Sequence, residues 1–476
     1  MILTIDIGTT TIKAALMDPK GTIHKSCIHR LISTITEEIA TSNPQQYIAC
    51  LTKILTQFDT KAIEAIIVSG NAPTFIPVTG EPTVHNGNLT LDSEDARLWL
   101  DKRGNEFSPR VSQLMGSYID GSFYLPKALS IKEKEPALFE RVTSFLTNTE
   151  YLTYLLTGNK VTILPAEHLS KYYWNDAILA SLSLPSSLFP PFVTPGTVIG
   201  KVSEQARKVL GLPPNVKVIA GGPDFYLSIL GSGVHRPGEI CDRSGTSEGI
   251  NLCIRQQINE KGLMCYEHPA NNALWNLSGI ISTTGAAIDW GMKLLGLEKD
   301  EYNKFLSMAA RVHQTNLIFH PYLNGERAPI WDNDATATFS GLKLSTSRDE
   351  IARSILEGIC FSILDVTQAM GDQRQSATKM FITDNHSSFN FLSQMKSNVL
   401  QIEVADLKDN PVELTGLAML ASTSLGYYKN LTEASEHCHT QSEILSPDPT
   451  KKDYYLHKFS QFKEIYKATK STGIKL

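Results

Sequence analysis

The sequence predicts an α/β protein of two related domains, each built on a mixed β-sheet. Three observations carry this. Residues 2–31 read as three β-rich runs joined by Gly-containing turns, followed by a helical run and a further strand. A strand, a Gly-Thr turn and a strand recur at 239–255, echoing 2–17, and an internal echo of this kind marks two related domains facing one another. At 476 residues, the chain has room for two or three domains with ample cores.

Taken in order, 2–7 is an apolar strand, Gly8-Thr9-Thr10 a tight turn and 11–17 a second strand. Asp18-Pro19-Lys20-Gly21 turns the chain into a third strand over 22–31. Ser42-Asn43-Pro44 is a helix start, with Pro in the first turn, and Tyr47, Leu51, Ile54, Leu55 and Phe58 then share one face. A strand over 62–69 follows and ends at Gly70-Asn71-Ala72-Pro73. Between 90 and 200 the pattern predicts helices over 92–102, 125–134, 136–145 and 149–156. A strand over 216–220 runs into Gly221-Gly222-Pro223-Asp224 and an apolar helix through Ile229. The hinge region is placed at His235-Arg236-Pro237-Gly238, giving an N-terminal domain of 1–235 and a C-terminal domain of 236–476. Helices are expected later at about 349–368, 388–400 and 452–469.

Composition narrows the function. Hydrophobic content of 42% and charged content of 20% are those of a soluble globular protein, and a net charge of −5 provides no basic footprint for nucleic acid. No run approaches the roughly 20 apolar residues that span a bilayer, and the first residues lack the basic and apolar regions of a signal peptide. Seven scattered cysteines without CxxC spacing indicate neither a zinc site nor a disulfide framework, so the cytoplasm is the expected compartment.

The two Gly-Thr turns carry what a polyphosphate needs. At the first, Gly8 allows close approach of backbone N–H groups, Thr9 and Thr10 add hydroxyls, and Lys13 adds charge. Asp6 beside it can hold Mg²⁺, which usually takes one or two carboxylates plus phosphate oxygens. The second turn supplies Gly245 and Thr246. Phosphoryl transfer asks mainly for positioning and charge neutralisation, plus a base for the acceptor's proton, and Asp224 at a strand end after small residues is a candidate for that base. There is neither a Walker A sequence nor a GxGxxG, so P-loop and Rossmann sites are not expected.

Along nearly its whole length the chain resembles the FGGY carbohydrate kinases, within the actin-like ATPase folds. IDIGTTTIKAAL resembles the family's first phosphate loop, LWLDKR (98–103) its Trp-x-Asp-x-Arg segment near the sugar, and GGPDFYLSILGSG (221–233) the segment of the catalytic aspartate. SGTSEG (244–249) resembles the second phosphate loop and TTGAAIDW (283–290) a nucleotide-side stretch. YLTYLLTG (151–158), TPGTVIGKV (194–202), PYLNGERAPIWD (321–332) and the stretch from ATFSGL to EIARSILEG (337–358) match further landmarks in the right order.

The resemblance implies two ribonuclease H-like domains with mixed five-stranded sheets flanked by helices, and a cleft between them. It implies transfer of the ATP γ-phosphate to a hydroxyl of a small sugar or polyol. Asp224 would be the general base, and Asp6, with Asp224, would support Mg²⁺. Thr9, Thr10, Lys13, Gly245 and Thr246 would contact phosphates, Gly285 and Asp289 would lie along the nucleoside, and Trp99, Asp101 and Arg103 would lie at the sugar with Asn71.

The family pattern breaks in three places. Where the family has glycines against the adenine, this chain has Asp384 and Asn385; the expectation is that they stand in for the glycines at ATP, the alternatives being weakened ATP binding or another phosphoryl donor. After the 62–69 strand, Gly70-Asn71-Ala72-Pro73-Thr74 matches neither the Gln-Met-His-Gly type of xylulose kinases nor the Arg-Glu pair of glycerol kinases. Lys127-Ala128-Leu129-Ser130 lacks the usual Trp, and 161–170 lacks the usual Thr-Asp. A ketose or related polyol is the expected acceptor, a xylulose-like pentulose first. The alternatives are a kinase for a deoxyhexulose or tetritol and a catalytically weak sugar-binding sensor. A homodimer is compatible with the sequence, which does not fix oligomeric state.

Overall fold

The computed structural model describes residues 1–383, 390–407, 410–438 and 442–471. It divides into two compact units, Met1–Gly233 with Pro411–His439, and Val234–Asn410 with Thr440–Leu476.

Unit one is built on β1 (Ile2–Ile7), β2 (Thr11–Met17), β3 (Ile23–Arg30), β4 (Ala65–Gly70), β5 (Val198–Lys201) and β6 (Lys217–Pro223). The sheet order is β5-β6-β4-β1-β2-β3, with β1 antiparallel to β2 and parallel to β4. All six residues of β1 are buried, Thr4 and Asp6 among them, as a strand covered on both faces requires. Helix α1 (Gln45–Gln57) supplies the crossover from β3 to β4 and buries Leu51, Ile54 and Leu55 against the sheet. Helices α2 (Tyr124–Lys134), α3 (Asn148–Thr157) and α4 (Asp224–Gly231) complete the elements that shape the site. The Thr147 hydroxyl accepts from Glu150 N–H and the Glu150 carboxyl accepts from Thr147 N–H, a capping box that starts α3 where the sequence places it.

Unit two repeats the plan with β7 (Glu239–Arg243), β8 (Glu248–Ile254), β9 (Met264–His268), β10 (Asn271–Ile281), β11 (Lys379–Ile382), β12 (Glu403–Asp406) and β13 (Glu443–Leu445). Its order is β9-β10-β8-β7-β11-β12-β13, with β7 antiparallel to β8 and parallel to β11. Helices α5 (Gly285–Leu294), α6 (Arg348–Ala369) and α7 (Phe391–Leu400) lie in this unit. Ile355, Ile359 and Ile363 of α6 are buried in a core that also takes Met395 and Val399 of α7.

Helix α8 (Val412–Ser424) belongs with unit one although it follows β12, and α9 (Lys452–Ser471) returns to unit two. The single boundary expected near 235 is therefore corrected: one break falls beside it, but Pro411–His439 crosses back. Glycines make that return possible. A Cβ at Gly231 of α4 would lie 1.8 Å from Val412 O, and one at Gly416 of α8 would lie 2.2 Å from Leu227 O.

Three further expectations change. The sheets have six and seven strands rather than five, because β5 and β13 add antiparallel edges and β9 extends the hairpin series of unit two. Residues 92–102 are not helical: Ala96–Arg97 pairs with Thr41 and Ser42, a distant pairing that overrides local pattern. The helix expected over 136–145 stops at Phe139, and Ser144–Leu146 is a strand. Among the described residues, no helix is long and apolar enough to cross a membrane.

Candidate active site

In unit one, Asp6 sits near the end of β1, with Lys13 opposite it on β2 and Ser69 opposite it on β4. The Ser69 hydroxyl donates to Asp6 Oδ1 at 2.7 Å. Burial, followed by the charges of Glu413 and Asp224, pushes the Asp6 carboxyl up to about 7, against the opposing pull of Lys13 and of the Ser69 hydrogen bond. Asp6, Asp224 and Glu413 thus form one electrostatic neighbourhood. The 411–424 return places Glu413 there, and no local pattern in the sequence announces it. The Ser228 hydroxyl of α4 donates to Glu413 Oε1 at 2.9 Å, which joins α4 and α8 beside the acids.

Asp224 is the first residue of α4, half-buried, and its Oδ1 accepts from Phe225 N–H at 2.7 Å. The two preceding residues, Gly222 and Pro223, line a small pocket shared with Asn71, Tyr124, Asn148, Glu150 and Tyr173. No Lys, Arg or His is among the residues lining it.

The first Gly-Thr turn closes through Gly8 N–H donating to Thr11 O at 2.9 Å. Thr9 is tied to the acceptor-side residues. Its Oγ1 accepts from Asn71 Nδ2 at 2.9 Å and from Trp99 Nε1 at 3.1 Å. Asn71 Oδ1 in turn accepts from Asn148 Nδ2 at 2.8 Å and from the Thr74 hydroxyl at 2.7 Å. Thr10 is exposed at the tip and Lys13 half-buried.

Asp101 is fully buried. Its Oδ2 accepts from Arg103 Nη2 at 2.7 Å and from Ala40 N–H at 3.1 Å, so it orients Arg103. Lys127, which opens the segment that lacks the family's Trp, has no exposed surface. Its Nζ donates to the carbonyls of Pro73, Leu98 and Arg97 at 2.6, 2.7 and 3.2 Å, and burial pulls its pKa down to about 7. The ammonium pins the Asn71 loop to the Trp99 segment.

Unit two holds a pocket of about 950 Å³ lined by Ser244, Gly245, Thr284, Gly285, Asp289 and Lys396 among others. The second Gly-Thr turn is latched to the start of α5. Gly285 N–H donates to Gly245 O at 3.0 Å, and Thr284 and Ala286 N–H donate to Thr246 O, both at 3.2 Å. A Cβ at Gly285 would lie 2.3 Å from Gly245 O, so the latch requires glycine there. With both carbonyls taken, the turn keeps its N–H groups for another partner. Asp289 is exposed and accepts from Lys299 Nζ at 2.9 Å. Asp384 and Asn385 lie outside the described residues.

Asp6, Thr9, Lys13, Asn71, Trp99, Asp101, Arg103 and Asp224 thus belong to unit one, and Gly245, Thr246, Gly285 and Asp289 to unit two. Residues missed from sequence are Glu413, Asn148, Tyr124, Tyr173 and Lys396. The signal for Lys396 was available, as a lysine inside a buried helical stripe.

Residues 1–231 match the N-terminal domain, and residues 243–425 the C-terminal domain, of the FGGY family of carbohydrate kinases. A xylulose kinase of Staphylococcus epidermidis is 25% identical over 498 aligned positions, covering 99% of this chain and 97% of the relative. A gluconate kinase and a ligand-bound xylulose kinase, both of Lactobacillus acidophilus, superpose with TM-scores of 0.84 at 24% identity. Each alignment covers 98% of this chain, with 97% and 98% of those chains respectively.

Proposed function

The chain belongs to the FGGY family of carbohydrate kinases and is an ATP-dependent sugar kinase, and from that premise we propose that its acceptor is a neutral ketose, a pentulose first, with Asp224 as general base. One observation carries this reading. The residues immediately before Asp224 form the wall of a pocket lined by amides, tyrosines and a buried carboxyl, without a cation. Asn71 and Asn148 both donate and accept, which suits the hydroxyls and carbonyl of a ketose. An aldonate would bring a carboxylate beside Glu150, whose own carboxyl burial already pushes up to about 7. Arg103, the arginine that the sequence places at the sugar, is engaged by Asp101.

In this reading Asp224 takes the proton of the attacking hydroxyl, its carboxylate held by Phe225 N–H. The N–H groups and hydroxyl of the Gly245-Thr246 turn receive the donor phosphates, and the large unit-two pocket takes the nucleoside along Gly285 and Asp289. Thr9, Thr10 and Lys13 meet the transferred group. Mg²⁺ fits the first site: a buried carboxyl pushed up to about 7 beside two more acids is one that a divalent cation would hold ionised. Among the described residues no group of three or more His, Cys, Asp or Glu is arranged to hold a metal by itself, and Mg²⁺ ordinarily adds phosphate oxygens to one or two carboxylates. Asp6, with Asp224, would hold it, and it would neutralise phosphate charge.

The test is ADP release over a panel of ketopentoses, ketohexoses, deoxyhexuloses, tetritols and aldonates. A ketopentose is expected to give the highest kcat/KM. Preference for D-gluconate would overturn the acceptor assignment. A sugar that raises the melting temperature while none stimulates ADP release would favour a sensor.

A further inference from the structure

We propose that Lys396, Asp242 and Glu248 form a buried clamp that positions Ser244, and through it the Ser244-Gly245-Thr246 turn, to receive the donor's phosphates. The inference rests on the nucleotide reading of the unit-two pocket, of which Ser244, Glu248 and Lys396 form part of the lining.

The three charged side chains are at most 2% exposed. Lys396 Nζ lies 2.5 Å from Glu248 Oε1, 2.7 Å from Asp242 Oδ2 and 3.1 Å from Ser244 Oγ. An ammonium has three protons, and all three have acceptors, so Lys396 has none left for a phosphate. It therefore acts through the residues it holds. Ser244 accepts from Lys396 and donates its one proton to Glu248 Oε1 at 3.0 Å, with Asp242 Oδ1 a second acceptor at 3.3 Å, so it has no proton left for a phosphate. The turn is then fixed from two sides: α7 reaches it through Lys396, and the start of α5 reaches it through the carbonyls of Gly245 and Thr246.

Charge balance supports the same role. Burial and the neighbouring Glu248 push the Asp242 carboxyl well above the usual carboxylate range, while Lys396 holds Glu248 down. The Lys396 ammonium lies within 2.7 Å of both carboxyls and offsets their charge inside the cluster. A polyphosphate therefore meets less repulsion there than two buried carboxylates alone would present.

Ser244→Ala cuts the tie without unbalancing the buried charges. The expected result is a KM for ATP raised about tenfold, the worth of a hydrogen bond to a charged group. The kcat at saturating ATP and the acceptor KM should stay close to wild type, while the melting temperature falls modestly with the loss of the buried hydrogen bonds, in a variant that still folds. Ser244→Thr, which keeps the hydroxyl, should restore ATP affinity. The triple variant Lys396→Met, Asp242→Asn, Glu248→Gln, whose fold is checked by its melting curve, should show a similar rise in KM. An unchanged KM in Ser244→Ala would overturn the clamp, and a rise confined to the triple variant would instead make Lys396 a direct phosphate ligand. The nucleotide reading is judged separately: a wild type that neither melts higher with ATP nor releases ADP with any acceptor would overturn both.

Discussion

The two Gly-Thr turns stand on the same scaffold and in opposite electrostatic surroundings. Each follows a strand that is antiparallel to the next strand in sequence and parallel to a later one, and each of those strands carries a buried aspartate close to its end, Asp6 and Asp242. In unit two the aspartate is answered from within by Lys396 at 2.7 Å. In unit one the neighbours Asp224 and Glu413 raise Asp6 further, against Lys13 and a serine hydroxyl. The repeated fold supplies the turn, and the residues packed behind it decide whether the site is complete in charge or calls for a cation.

The largest effect expected from that difference is on chemistry. Asp224→Asn keeps the volume and the Phe225 contact while removing the proposed base. The kcat should fall about 10²- to 10⁴-fold, with acceptor binding retained in a thermal-shift titration. A loss below tenfold would move the base elsewhere and leave Asp224 a member of the acid cluster only.

The next contrast is in stability. Lys396→Met leaves two carboxylates buried without their cation and should cost about 3–5 kcal/mol in denaturant unfolding. Asp6→Asn should do the opposite in metal-free buffer near pH 8, raising stability by about 2–3 kcal/mol, because the native state no longer strains a carboxyl that titrates near 7. Added Mg²⁺ with nucleotide should stabilise wild type more than Asp6→Asn. If both single variants destabilise alike, the two turns are electrostatically equivalent and the comparison fails.

Much of this was legible in the chain. The strand–turn–strand units at 2–17 and 239–254 stand out because buried strands read as apolar runs and the Gly-Thr turns interrupt them. A break near 235 was legible too, since a strand, a small-residue turn and a helix end there. What could not be read is what returns from far away. Glu413 reaches the acid cluster only because α8 leaves unit two and packs on α4 through Gly231 and Gly416, a contact without a local signature. The 92–102 segment has helical spacing, yet Ala96–Arg97 is claimed by a strand more than fifty residues earlier.

Glu150 offers a third way to bury a carboxyl, and with it the gentlest test. Its partners are the N–H groups of Thr147 and Ile163, at 2.8 and 2.7 Å. Burial raises its pKa from 4.5 to about 7, so the folded state binds more protons than the unfolded chain across that window. Stability contributed by this group is therefore full below pH 4.5 and is lost as pH rises toward 7. Glu150→Gln cannot titrate, and it forfeits one of the two accepted N–H bonds at every pH. The wild-type advantage over Glu150→Gln should accordingly shrink by about 2 kcal/mol between pH 5 and 7.5, read from paired urea melts. An advantage that stays level over that range would mean that the two N–H bonds hold Glu150 ionised throughout, and that backbone dipoles here do for a buried carboxylate what Lys396 does in unit two.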